Sequence, residues 1–135
     1  MAAGLEKRAL QIVVAVLCAV PLLAGGGGVL IGPEFVGPAA ERGTDLDSQF
    51  RYLSGLLLGL GFVFLSTVPG IERKGRRFRL AAAVVLVGGL ARLWSLLVAG
   101  LPLPPHLAAL VVELGVVPLL ALWQGRVARQ AGRRV

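Results

Sequence analysis

Four long apolar runs, separated by short polar stretches, organise the chain, at approximately residues 9–32, 51–70, 79–100 and 107–124. Each is long enough to cross a hydrocarbon core of about 30 Å as a helix, which takes roughly 18 or more residues. Inside the runs apolar and polar residues do not alternate as they would in a barrel strand, and backbone groups in lipid must be satisfied within the segment. The pattern therefore predicts an all-α fold. It is expected to be one domain, residues 1–135, built as an integral membrane four-helix bundle with an antiparallel, up-down path.

The first run follows Lys7 and Arg8 and reads "ALQIVVAVLCAVPLLAGG", which is also the layout of the first two regions of a secretory signal. No clean A-x-A site follows, and a retained helix is expected. Pro21 should kink it, and Gly25 to Gly28 should loosen its far end without adding packing.

Composition agrees with lipid-facing helices. A hydrophobic content of 56% and a mean hydropathy of +0.82 exceed what a soluble core of this size needs. Charge then sets the direction of the path. Lys7 and Arg8, the 71–79 loop (Arg73, Lys74, Arg76, Arg77, Arg79) and the tail (Arg126, Arg129, Arg133, Arg134) fall on one side of a four-span path. The other side holds Arg42 among Glu34, Glu41, Asp45 and Asp47, has Arg51 at its membrane edge, and has no Lys or Arg in "LPLPPH". Short basic loops stay inside, so both termini are expected to be cytoplasmic. A net charge of +7 would suggest nucleic acid in a soluble protein. Here no aromatics interleave with the arginines, so the expected partners are the bilayer and its anionic headgroups on the cytoplasmic side, and not nucleic acid. The single cysteine, Cys18, lies within the first span and reads as a small packing residue.

Two charges interrupt the last two spans. Arg92 stands about 12 Å below the outer end of the third, and Glu113 about 10 Å below the start of the fourth, at 1.5 Å per residue. A lone charge at such a depth is costly, so each is expected to face the bundle interior and pair with the other. On the second helix, Ser48, Arg51, Gly55, Gly59 and Ser66 share one face, and Gly55 with Gly59 form a G-x-x-x-G that permits close packing. On the third, Gly88, Arg92, Ser95 and Ala99 do likewise, with Gly89 beside them. Together these place Arg51, Tyr52, Arg92, Ser95 and Glu113 around a polar pocket that opens outward, with His106, Asp45 and Asp47 at its mouth. Gly55, Gly59, Gly88 and Gly89 are the expected packing glycines. Tyr52, Phe78, Trp94 and Trp123 fall near span ends, where aromatics anchor at the interface.

The stretches "FRYLSGLLLGLG", "PGIERKGRRFRL", "GGLARLWSLLVAGLP" and "ELGVVPLLALW" resemble the bacterial membrane family known as domain of unknown function 4345, over nearly the whole chain and most specifically from Phe50 to Trp123. The resemblance implies a four-helix integral membrane protein, multi-pass in the bacterial inner membrane, and no assigned chemistry. A looser likeness to four-helix membrane subunits of the DoxX type is one of architecture alone.

Catalytic arrangements are not visible: there is no Ser/His/Asp set, no paired carboxylates within spans and no phosphate loop, and "GGGG" lacks the Lys and Ser/Thr of one. No catalytic residue, metal or cofactor is expected. One expected function is binding of a small anionic or lipid-like ligand, because two arginines facing one carboxylate leave positive charge to be matched. The alternative is a non-catalytic structural or assembly subunit, docking a membrane-protein partner or a second copy, with the Arg92/Glu113 pair fixing helix register. A small transporter or membrane enzyme has the least support, since no inverted repeat is visible.

Overall fold

The computed structural model describes residues 2–37 and 43–132. Glu41, Arg42, Arg133 and Arg134, which enter the charge argument above, lie outside the described residues. The elements are α1 (Ala2–Ile31) with a 3-10 turn (Gly32–Val36), α2 (Thr44–Leu65), α3 (Gly75–Ala99), α4 (Pro104–Val111) and α5 (Val117–Gly132). A π-helical turn, Val112–Val116, joins α4 to α5 without a break. Four stretches are helical, long and apolar enough to cross a membrane: Gly4–Val36, Thr44–Leu65, Gly75–Ala99 and Pro104–Gly132. Among the described residues there is no strand.

The helix ends differ from hydropathy by one or two turns, for local reasons. At its start α2 takes in Asp45 and Asp47, whose carboxylates suit the positive end of a helix. It stops at Leu65 because the next N–H groups bond only three residues back, Thr67 to the Phe64 carbonyl at 2.9 Å and Val68 to that of Leu65 at 3.1 Å, and Pro69 has no N–H to continue the ladder. The end of α3 is closed by Gly100 at φ +91°, whose N–H donates to the Leu96 carbonyl. Prolines at the first positions of α4 then start the next helix where their missing N–H costs nothing.

Contacts divide the chain into two compact units, Ile12–Val68 and Met1–Gln11 with Pro69–Val135. In the first, α1 and α2 meet along a glycine seam. A Cβ on Gly25 would stand 2.8 Å from the Leu58 Cα and from the Ser54 carbonyl oxygen, and one on Gly28 would collide with the Ser54 hydroxyl. Gly61 stands in the same relation to Leu22, 3.0 Å from its Cδ2. The expectation that Gly25 to Gly28 loosen the helix is thus reversed. Gly25 and Gly28 are buried and let two backbones touch, and α1 runs on through Pro21 to Ile31.

In the second unit Leu10, Ile71 and Phe78 are wholly buried, with Ala81, Ala82, Leu120 and Val127 close to it. Phe78 is therefore a core residue and not an interfacial anchor. Gln124, also wholly buried, donates through Nε2 to the Ile71 carbonyl at 2.9 Å. Lys7 pairs with Glu72 at 3.0 Å, and Glu6 accepts from Arg126 and Gln130, each at 3.0 Å. These partners explain why α1 begins before its apolar run. Burial pushes the Glu72 carboxyl up, but its own backbone N–H, the Lys7 ammonium and the Arg73 guanidinium together outweigh this and hold it below its ordinary value.

Substitution tests both the seam and the ion pair. Gly25→Ala should destabilise by about 1–3 kcal/mol, the range for forcing extra volume into a packed site. Gly59→Ala, where a Cβ meets nothing within 4 Å, should be neutral or stabilising by up to about 1 kcal/mol. Thermal melts in detergent measure both, and equal losses would refute the seam. Because the folded Glu72 carboxyl titrates below its unfolded value, its contribution is present above the ordinary range near pH ~4.3 and is lost as pH falls through the lowered value. The gap in melting temperature between the native protein and Glu72→Gln should narrow as pH drops from about 6 to about 3; a constant gap would show that the ion pair contributes nothing.

Candidate functional site

Arg92 lies seven residues before the end of α3, about 10 Å along the axis, and Glu113 lies nine residues beyond the start of α4. Two parallel hydrogen bonds join them: Arg92 Nε donates to Glu113 Oε2 at 2.9 Å and Nη2 to Oε1 at 3.1 Å. This is the bidentate fork geometry, the strongest form of the pair. The third contact of the guanidinium is Nη1 to His106 Nδ1 at 3.1 Å. Arginine has no acceptor, so Nδ1 must accept, which places the imidazole proton on Nε2. The triad is close-packed underneath, since a Cβ on the buried Gly89 would lie 2.9 Å from the Glu113 Cβ and 2.7 Å from Leu114 Cδ2. Its outer side is open: the Arg92 side chain is 34% exposed and that of Glu113 20%.

The π turn carries Glu113 itself. Pro118 has no N–H to offer the Leu114 carbonyl four residues earlier, and its ring crowds that carbonyl in an α-helix. Widening the turn answers both problems. The Val117 N–H reaches back five residues to the Val112 carbonyl, a geometry that recurs at functional sites. Pro118 inside an apolar helical run was the available signal, and periodicity alone passes over it.

Arg51 has a different setting. Its Nε donates to Asp47 Oδ2 at 2.8 Å and Nη2 to Oδ1 at 3.2 Å, while Nη1 donates to the carbonyls of Val29 at 2.7 Å and Leu30 at 3.2 Å. These carbonyls belong to the last turn of α1, where no further N–H is available, and a cation there also suits the negative end of the helix. Gly32 at φ +81° lets the chain turn under the guanidinium, with a Cβ 2.5 Å from Nη2. Arg51 is thus the cap of α1, in the 12–68 unit, and each arginine has its own carboxylate. The surplus positive charge inferred from two arginines and one carboxylate does not exist.

Of the other residues expected to line the pocket, Tyr52 is 62% exposed and belongs to the unit of Arg51, and Ser95 is exposed on α3. Ser95, in the unit of the triad, has no hydrogen bond to it. Gly89 meets the last span directly, Gly55 makes only an ordinary contact with Val29 at 3.8 Å, and Gly59 and Gly88 face open space. The contact stripes run instead through Arg51, Ser54, Leu58 and Gly61 on α2, and through Phe78, Ala82, Gly89 and Arg92 on α3. Asp45 is exposed, and Asp47 is committed to Arg51.

No curated protein and no solved structure matches the chain. A family model does. The model described as "Domain of unknown function (DUF4345)" matches residues 9–124, a stretch that includes Arg51, Arg92, His106, Glu113 and the π turn, and the chain therefore belongs to that family.

Proposed function

We propose that the protein is a multi-pass protein of the bacterial inner membrane, with antiparallel spans and both termini cytoplasmic, that binds a small lipid-like molecule through an acceptor oxygen at the Arg92–Glu113–His106 triad. The observation that carries this reading is the donors left over. Arg92 has five N–H groups and uses three, and His106 keeps its Nε2–H. These donors stand on a pair whose charges already cancel. A carbonyl, ether or weakly charged oxygen on an apolar body suits such a rim better than a strongly charged anion, which would have to compete with Glu113. Antiparallel packing is supported by the order of contacts, with residues 75, 89 and 92 against 124, 114 and 113, and 25, 28 and 32 against 58, 54 and 51. Exposed apolar side chains along every span, among them Leu23, Leu56, Leu97 and Leu122, support lipid contact.

A second reading, a scaffold in which the pair fixes helix register, is favoured by the tight seat of Glu113 on Gly89. A double-mutant cycle separates the two. Arg92→Leu and Glu113→Gln should each destabilise by about 3 kcal/mol, at the low end for breaking a buried pair because Arg92 is partly exposed. The double variant should recover much of the loss, whereas additive losses would deny the coupling. His106→Ala leaves the ion pair intact, so it should keep the melting temperature and lose molecules retained in native mass spectrometry. Full retention by that variant would leave the scaffold reading in place.

Orientation is tested in a Cys18→Ala background. A single cysteine at exposed Ser48 should label from outside intact cells, and one at exposed Arg73 should not. The opposite pattern would place the triad near the cytoplasmic face.

A further inference from the structure

The sequence G-R-x-x-R occurs twice, as Gly75-Arg76-Arg77-Phe78-Arg79 at the start of α3 and Gly125-Arg126-Val127-Ala128-Arg129 within α5. In both copies one inner residue is anchored in the core, Phe78 at 0% and Val127 at 3% exposure, so the arginines around it are directed outward. In both, the last arginine folds back over the glycine one turn earlier. Arg79 Nη1 lies 3.0 Å from where a Gly75 Cβ would be, and Arg129 Nη1 lies 3.8 Å from that of Gly125. The two copies are also neighbours, because the same Gly75 position lies 3.0 Å from Nε2 of Gln124, the residue before Gly125. Two glycines thus clear the floor beneath two guanidinium groups at one crossing of α3 and α5.

No described residue neutralises these groups. This unit has three side-chain carboxylates, and all are committed: Glu6 to Arg126, Glu72 to Lys7 and Arg73, Glu113 to Arg92. Among the described residues Arg76, Arg79 and Arg129 have no hydrogen bond or ion pair. The start of α3 adds N–H groups without a side-chain cap, which contribute further positive potential. Both copies stand at the same end of helices long and apolar enough to span a membrane.

We infer that the paired G-R-x-x-R motifs form a binding site for the phosphodiester headgroup of an anionic phospholipid, held by Arg79 and Arg129 with Arg76 beside them. The guanidinium fork matches two phosphate oxygens at once, which an ammonium cannot do. The lipid is the source because the acyl chains would continue along the exposed apolar surface of α3, where Leu80, Val84 and Val87 face outward. The inference rests on the membrane reading of these helices and is independent of the triad.

The test uses the full chain in neutral detergent, titrated with phosphatidylglycerol or phosphatidylcholine and read by native mass spectrometry. Phosphatidylglycerol should be retained over phosphatidylcholine, and millimolar inorganic phosphate should not displace it. Arg79→Gln/Arg129→Gln should weaken retention by more than the ~25-fold that loss of two surface charges alone would cost, at roughly fivefold per arginine, with the melting temperature unchanged because neither side chain has a protein partner. Arg79→Lys/Arg129→Lys should also lose retention, since charge alone does not supply the fork, and Arg8→Gln at the same end should lose less than about fivefold. Native retention by the lysine variant, or equal loss in Arg8→Gln, would overturn the site in favour of diffuse attraction. Displacement by inorganic phosphate would overturn the lipid as its occupant. Recovery of the native chain outside the membrane fraction of cells would instead overturn the membrane reading itself.

Discussion

An arginine or a glutamate within an apolar helix needs its countercharge at hand, and the pairing of Arg92 with Glu113 meets this need by dictating how two helices lie together. The bidentate geometry fixes both the distance between α3 and the last span and their axial register. Gly89 then has to be a glycine, because the Glu113 Cβ would otherwise be pushed out of reach of the guanidinium. The π turn belongs to the same constraint. Pro118 forces a wider turn, and the extra residue changes the direction in which the preceding side chains project. Ion pair, glycine and proline therefore form one joint, and each explains the presence of the others.

Arg51 solves a different problem with the same chemistry. The last carbonyls of α1 have no N–H to accept, and in an apolar setting they would be orphaned. The guanidinium of α2 supplies the missing donors, with Asp47 holding it in place. Arg51 can do this only because Gly25 and Gly28 allow the α2 backbone to come close beneath it. Small residues and charged residues in these helices thus serve one another: close approach brings the charges within hydrogen-bond reach, and the charges keep the backbones there.

Much of this was legible in the sequence. Hydropathy located the four helices that are long and apolar enough to cross a membrane, and the cost of an isolated charge was enough to predict the partnership of Arg92 with Glu113. What the sequence concealed has physical causes. Periodicity of three and four is too coarse to tell Gly88 from Gly89, or Gly59 from Gly61, because a helical stripe drifts by about 20° every seven residues. Arg51 could not be assigned from charge alone, since the carbonyls it caps carry no mark in the sequence. The Gly25 to Gly28 run reads as loose because glycine's entropic cost is a property of the chain by itself, whereas its lack of a side chain becomes an advantage only against a neighbour.

The two ends of the unit containing α3, α4 and α5 are held by different forces. Near Gly75 and Gln124 the contact is made by wholly buried side chains, Phe78, Ile71 and Gln124, and separating the helices there would expose a core and break a buried hydrogen bond. Near Arg92 the contact rests on hydrogen bonds to groups that are partly exposed. A hydrophobic contact has no donor or acceptor for an incoming molecule to engage. A hydrogen-bonded joint does, because a new acceptor can take the unused N–H groups of Arg92 while the pair with Glu113 persists. The closed end thus supplies the rigid base, and of the two contacts between these helices the one that a new acceptor could enter is the one made by polar groups and not by burial.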